Sequence, residues 1–104
     1  MRHRIKVGEN ERVPVRLSAS QRGLILNHTF AGADVTEPLV AAPLVGTKIL
    51  VRYTLSDIEE LMGYVAAEAN HSKDPKLRRK LERLYDYLQT FEDRFEDELS
   101  APRS

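Results

Sequence analysis

The chain has 104 residues, with 16 basic side chains, 16 acidic side chains and no cysteine. This length predicts one small domain with a modest core, and the absence of cysteine excludes disulfides, thiolate catalysis and cysteine-based zinc sites. The balanced net charge argues against a dedicated nucleic-acid binder, because such proteins usually carry a basic excess.

The first eleven residues are polar and charged, and they predict a flexible N-terminal arm over residues 1–11. A short edge strand at Ile5 and Val7 is the alternative. The segment lacks the roughly 7–15-residue apolar stretch of a signal peptide, and no apolar run approaches the roughly 20 residues that span a bilayer. We therefore expect a cytoplasmic protein without a membrane partner.

Residues 12–17 alternate between apolar and polar side chains, which is typical of a strand with one buried face. The apolar positions are Val13, Val15 and Leu17. Pro14 has no backbone N–H to donate, so it favours an edge strand. Ser18 is followed three residues later by Gln21, the spacing of a capping box, which predicts a helix from about Ala19 to Asn27.

Residues 28–46 are interrupted by glycine and proline, at Gly32, Pro38, Pro43 and Gly46. These breaks predict a structured connection with a helical turn near Glu37–Ala41. The segment Thr47–Tyr53 is rich in β-branched residues and predicts the second strand.

A second helix follows, capped by Thr54 or Ser56, and Ser56 with Glu59 has the spacing of another capping box. Its apolar residues fall on one helical stripe. They are Ile58, Leu61, Met62, Val65 and Ala69. The helix is expected to end near Asn70 and His71, and to pack antiparallel to the helix that comes next.

Asp74 and Pro75 are favoured residues for a helix start, and they predict a long third helix from Asp74 to about Leu99. Its apolar residues repeat with heptad spacing. They are Leu77, Leu81, Leu84, Leu88, Phe91 and Phe95. The expected fold is α+β, with a small two-stranded sheet packed on three helices, of which the C-terminal one is long and amphipathic. Residues 12–99 form the domain and residues 100–104 a tail.

The third helix begins basic and ends acidic, which opposes the preference of the helix macrodipole. Antiparallel packing explains its basic start, which then lies beside the end of the second helix. Its acidic end overhangs that shorter partner. We expect the apolar residues there either to pack within the chain or to form an interface with a second copy or another protein. The candidate interface residues are Leu88, Phe91, Phe95 and Leu99.

The segments Val15–Ser20 and Val51–Ser56 are similar, either by chance or as a duplicated strand–helix unit with the two strands paired. Both resemble the strand-then-capped-helix opening of ribbon-helix-helix regulators. The resemblance implies outward strand residues that read the major groove. Separately, the basic run at the start of the third helix either contacts phosphates or is a solvated helix face beside acids. The corresponding residues are Arg12, Arg16, Lys48, Arg52, Arg78 and Arg79. The chain departs from that family: no clear second helix follows the first strand, and the later helices are longer.

Residues for catalysis or metal binding do not converge in the sequence. His3, His28 and His71 are scattered, with no partner at metal-ligand spacing. The second helix begins with the carboxylates Asp57, Glu59 and Glu60. They could gather around a cation together with Asp86 and Glu92. Alternatively, they form a solvated face, because acidic residues in the first turn of a helix commonly interact with its dipole. The second interpretation is favoured. No catalytic residue, cofactor or metal is therefore predicted. The expected function is protein–protein interaction or assembly as a homo-oligomer, and the alternative is a DNA-binding regulator.

Overall fold

The computed structural model describes residues 5–8 and 10–97, with the backbone alone for Glu96 and Asp97. The elements follow the chain in the order β1 (Ile5–Val7), β2 (Val13–Leu17), α1 (Ala19–His28), α2 (Ala33–Ala41), β3 (Leu44–Val45), β4 (Lys48–Tyr53), α3 (Leu55–His71), α4 (Pro75–Arg94) and β5 (Phe95–Asp97). The mixed helix and strand class is confirmed. Within the described ranges, no helix has the length and apolar character that a membrane crossing requires.

The main sheet has three antiparallel strands in the order β2–β4–β3. The predicted strands β2 and β4 pair along their length, with Val15 opposite Val51. The prediction of two strands is wrong because Leu44 and Val45 turn back and add a third strand to β4. Gly46 makes this return with a φ of 66°, a left-handed conformation that glycine adopts without steric cost.

The inner face of the sheet carries the alternating apolar residues of β2 and β4. Each of these side chains is at most 3% exposed. They are Val13, Val15, Leu17, Ile49, Val51 and Tyr53. All of them except Ile49 belong to the core cluster that also contains the buried faces of the helices. The sheet therefore packs against the helices through this face and leaves the other face outward.

Capping boxes start the helices that follow β2 and β4. At α1 the predicted box is present: Ser18 N–H donates to Gln21 Oε1 at 2.8 Å, and Gln21 N–H donates to Ser18 Oγ at 3.0 Å. At α3 the box is formed by Thr54 and Asp57, with both hydrogen bonds at 3.1 Å, and the predicted box of Ser56 with Glu59 is wrong. Because β4 remains paired up to its last residue, the helix begins immediately after it and Ser56 already lies in the first turn.

The segment between α1 and β3 contains a full helix, α2, where a single helical turn is predicted. Pro38 lies inside this helix, although proline removes one backbone donor and usually ends a helix. Tertiary contacts compensate for it. Val35 and Leu39 are completely buried, and the Tyr53 hydroxyl donates to the Val35 carbonyl at 2.5 Å.

Helices α3 and α4 are joined by a short link and pack along their apolar stripes. The basic start of α4 lies at the C-terminal end of α3, as expected, because the Arg78 guanidinium donates to the Ser72 carbonyl at 2.9 Å. A cation at this position complements the negative end of the α3 dipole, which accounts for the unfavourable charge order along α4 itself.

The C-terminal helix is shorter than predicted, because α4 ends at Arg94 and the chain continues as the strand β5. This strand pairs in parallel with β1, with Ile5 opposite Phe95. Val7 is 3% exposed and belongs to the core, so the short strand given as the alternative for the arm is present. The predicted tail lies outside the described residues, and the domain division remains a prediction.

Candidate functional site

The outward face of β2 and β4 brings together three basic side chains, Arg16, Lys48 and Arg52. All three are exposed, as is Arg12 immediately before β2. The other outward positions of these two fully described strands are Pro14 and Leu50, so no acidic residue interrupts the row. We call this surface the basic sheet face. It is formed by four of the residues that the sequence analysis assigned to nucleic acid.

The pairing of β2 with β4 has approximate two-fold symmetry. Val15 and Val51, which occupy the same place in the two similar segments, lie directly opposite each other. Arg16 and Arg52 follow them and therefore flank the local axis on the outward face. The strands of the two similar segments therefore pair with each other, as one of the two alternatives predicted. Within a single chain, the sheet presents two equivalent arginines in antiparallel orientation.

A shallow depression of about 310 Å³ lies where β4 meets the end of α2. Arg12 and Arg52 contribute to its wall, together with apolar residues. The apolar lining is formed by Pro38, Ala41, Ala42, Pro43, Leu50 and Val51. Arg12 and Arg52 therefore border a concave surface at one end of the basic sheet face.

Tyr87 on α4 joins the opposite edge of the sheet. Its hydroxyl donates to the Arg16 carbonyl at 2.6 Å, at the edge of β2 that does not pair with β4. Burial raises the pKa of Tyr87, while the Arg16 carbonyl and the charges of Arg16 and Arg94 act in the opposite direction. The neutral hydroxyl thus fixes the strand that carries Arg16. No local sequence pattern indicates this contact, because the two residues are 71 positions apart.

The two arginines predicted on the last helix do not join the basic sheet face. Arg78 donates to the end of α3, and Arg79 is exposed on the next position of the same turn. Helix α4 contacts the sheet through Tyr87. Arg79 lies eight residues before Tyr87, which places it roughly 12 Å along the helix axis from this contact. The structure therefore separates the predicted nucleic-acid residues into a strand group and a helix group.

The predicted interface residues lie mostly within the core. Leu88 is completely buried and Phe91 is 8% exposed, while Phe95 is partly buried and stacks on Phe91 with 6.5 Å between ring centroids. Leu99 lies outside the described residues. The predicted overhang is nearly absent, since α4 has 20 residues and α3 has 17. Leu88 and Phe91 therefore have no free apolar surface to offer a partner.

One exposed apolar residue has no counterpart in the sequence-based predictions. Phe30, in the loop between α1 and α2, is 91% exposed, the highest value among the large apolar side chains of the described residues. It borders an open depression of about 400 Å³ whose other walls are Tyr64, Ala67, Glu68 and His71 of α3. A single phenylalanine in a loop has no periodicity that would reveal its exposure.

The acidic residues do not gather as a cation site. Asp57 serves the cap of α3. Glu60 lies beside Asp34 of α2, and the hydrogen bond that its protonated carboxyl donates to Asp34 raises the pKa of Glu60. Asp86 lies beside the second half of α3, in a depression shared with Ala66. Among the described residues, no group of three histidine, aspartate or glutamate side chains is placed to hold a metal ion.

Comparison of the chain with protein-family models, with curated proteins and with solved structures found no match. The assignment of a function therefore depends on the surfaces of the molecule itself. Two of them differ from an ordinary solvated surface: the basic sheet face and the surface around Phe30.

Proposed function

We propose that this protein binds duplex nucleic acid through the basic sheet face. The observation that carries the proposal is the alignment of Arg16, Lys48 and Arg52 on one exposed face of a paired ribbon. These side chains are exposed and no acid lies between them on the two strands, so an external anion can approach them directly. Arginine and lysine are the residues that contact phosphate groups most often.

The dimensions of the ribbon suit a major groove. Lys48 and Arg52 are four residues apart on one strand, a separation of roughly 13 Å, which is close to the ~12 Å width of the B-form major groove. That groove admits a two-stranded β-ribbon. The third strand has only two residues and leaves most of the outward face to β2 and β4. The approximate two-fold symmetry would present Arg16 and Arg52 to the two sides of the groove.

The balanced net charge is compatible with this proposal because the charges are unevenly distributed. Most of the acidic residues that the structure describes belong to helices, which pack on the inner face of the sheet, while Glu11 lies in the loop before β2. A nucleic acid approaching the outward face therefore meets the arginines first. At moderate salt, interactions between exposed charges are screened beyond roughly 8–10 Å, so the charges near the binding surface matter more than the net charge of the whole chain.

The test is a titration of a fluorescent random-sequence duplex at increasing salt, read by anisotropy. Three phosphate contacts predict that log K falls with log[salt] with a slope of roughly −3. The double variant Arg16→Ala/Arg52→Ala is expected to reduce the magnitude of that slope by about 2. The matched control is Arg79→Ala/Lys80→Ala, which removes the same charge from exposed positions of α4. Absence of binding at low salt, or an equal loss in the control, would exclude the proposal.

The second candidate is the assembly role, and the exposed Phe30 specifically favours it. A protein with no net charge experiences little repulsion between its copies. This candidate no longer depends on the C-terminal helix, because Leu88 and Phe91 pack inside the chain. Sedimentation over a micromolar concentration series tests it. A chain that remains monomeric at high micromolar concentration would exclude self-association.

A further inference from the structure

The depression between β4 and the end of α2 has walls that backbone hydrogen bonds hold in place. The Leu50 N–H donates to the Pro43 carbonyl at 2.9 Å, which ties β4 to the segment that follows α2. The Ala42 N–H donates to the Leu39 carbonyl at 3.4 Å and closes the last turn of α2. Pro38 and Pro43 add rigid rings to the lining. The depression is therefore preformed, and a ligand needs to order little of the chain to occupy it.

Among the described residues, the lining combines apolar side chains with two cations and contains no acid. The apolar part consists of proline, alanine, leucine and valine, whose side chains neither donate nor accept a hydrogen bond. The polar part is the pair Arg12 and Arg52, both exposed. The carboxylate next to Arg12 in the chain, that of Glu11, accepts from the Gly8 N–H at 3.0 Å. The lining thus matches a small molecule with one apolar part and one anionic group.

We propose that this depression binds a free carboxylate with an apolar chain of medium length. Its volume of about 310 Å³ lies at the lower end of the range of small-molecule sites, roughly 300–1,000 Å³. Guanidinium groups bind carboxylates through paired, charge-assisted hydrogen bonds. The alkyl chain lies on the apolar wall, where its removal from water stabilises the complex. A nucleobase matches this wall less well, because its polar edge would find no side-chain partner there.

The end of α2 does not prevent binding of an anion. Ala41 is the last residue of α2 and contributes to the lining, so the negative end of the helix dipole lies beside the depression. That end is equivalent to roughly half an elementary charge. Arg12 and Arg52 bring two full positive charges to the same lining, so the local balance favours a carboxylate.

The ligand would act on the basic sheet face, because Arg52 belongs both to that face and to the depression. A carboxylate bound to Arg52 neutralises one cation of the face and occupies the place of a phosphate. We therefore expect the ligand to compete with duplex nucleic acid. The ligand site itself does not depend on the proposed function, and only this competition rests on it.

The experiment is a titration of the isotope-labelled chain with butyrate, octanoate or octylamine at constant ionic strength, followed by amide chemical shifts. Octanoate should shift the amides of residues 39–42 and 50–52. Its four additional methylenes, each about half-buried, predict roughly 10-fold tighter binding than that of butyrate. Octylamine has an apolar chain of the same length with the opposite charge and should not bind. Equal affinities for butyrate and octanoate, or binding of octylamine at the same residues, would overturn the inference.

Variants separate the arginines from the apolar wall. Arg12→Gln/Arg52→Gln removes both cations and is expected to weaken octanoate binding by about 10-fold or more. Ala41→Gln places a larger side chain in the depression and leaves both arginines unchanged, so it should also weaken binding. The matched control is Arg79→Gln/Lys80→Gln, which removes two exposed cations from α4 and should bind octanoate like the wild type. Equal losses in the control and in the arginine variant would overturn the inference. Far-UV circular dichroism checks that each variant is folded.

The fluorescent duplex then measures the competition. Octanoate should release the duplex from the wild type, and butyrate at the same concentration and ionic strength should release less. Absence of octanoate binding would overturn the inference and leave the nucleic-acid proposal in place. Absence of duplex binding would exclude the proposed function and the competition, and would leave the ligand site as the shift titration shows it. Simultaneous binding of octanoate and duplex without competition would overturn the contact with Arg52.

Discussion

The two faces of the β2–β4 ribbon differ in nearly every physical property, although they are made by alternate residues of the same two strands. The inner face is apolar and buried, as Leu17 and Tyr53 illustrate at 0% exposure. Arg16 and Arg52, which directly precede these residues in the chain, are exposed and charged. Stability is therefore concentrated on one face, and the other is available for binding.

This separation indicates what substitutions on each face should do. Changes on the inner face remove packing or leave a buried polar group without a partner, so they should lower the free energy of unfolding. Changes on the outer face alter charge in contact with solvent and should leave stability nearly unchanged. Neighbouring residues should thus respond in opposite ways.

The largest effect is expected for Leu17→Ala on the inner face. The side chain is completely buried, so its removal should lower the free energy of unfolding by about 2–5 kcal/mol through lost burial and the cavity left behind. Urea denaturation followed by circular dichroism measures this value. A loss as small as that of the neighbouring Arg16→Ala would mean that the inner face is not the packed core.

Tyr53→Phe is expected to cost about 0.5–1.5 kcal/mol, because it removes the hydrogen bond that the buried phenol donates to the Val35 carbonyl. Tyr53 also predicts a pH dependence. Burial, followed by the charges of Asp57 and Asp34, raises the pKa of this phenol in the folded state. Its stabilisation is complete below the pKa of the unfolded chain, about 10, and is lost as pH rises above it.

Denaturant titrations between neutral pH and pH 11 check this dependence. The wild type should lose stability above about pH 10, the ordinary tyrosine range, and Tyr53→Phe should lose less. Tyr87→Phe is the comparison variant, because its hydroxyl is also bonded to a carbonyl but lies at the exposed edge of the sheet. An identical alkaline profile for wild type and Tyr53→Phe would contradict the assignment.

The junction where the ribbon becomes α3 is expected to show an intermediate effect. Thr54→Ala removes the cap that accepts from the Asp57 N–H and should cost about 1 kcal/mol. Ser56→Ala is the matched control, since Ser56 is exposed in the first turn and lies outside the capping box. Thermal unfolding of the two variants compares them. Equal destabilisation would contradict the assigned helix start.

Arg52→Ala should change stability least, by no more than about 0.5 kcal/mol, because its side chain is exposed. Its expected effect is on nucleic-acid affinity. Chemical denaturation and duplex titration of the same variant separate the two properties. A large loss of stability would show that the outer face also supports the fold, and the contrast between the two faces would then fail.

Local patterns in the sequence predicted much of this arrangement. Alternation in residues 12–17 identified the buried and outward positions of β2, and the spacing of Ser18 and Gln21 placed the start of α1. These predictions are correct because the interactions that produce each feature lie within one strand or one helical turn. The outward position of Arg16 could be predicted in the same way.

Long-range contacts account for the features that local patterns could not supply. The heptad pattern continues to Phe95, but the helix ends because the chain pairs with Ile5–Val7, about 90 residues earlier. Pro38 predicts a break, yet α2 continues through it because Val35 and Leu39 are anchored in the core. The exposure of Phe30 likewise depends on how the loop between α1 and α2 packs.

We propose the outer face of the ribbon as the binding surface for duplex nucleic acid. Titration of an isotope-labelled chain with a random-sequence duplex, followed by amide chemical shifts, tests it residue by residue. We expect the largest shifts in β2 and β4, around Arg16 and Arg52, with smaller changes in α4. Shifts confined to the basic start of α4, or no shifts at low salt, would contradict it.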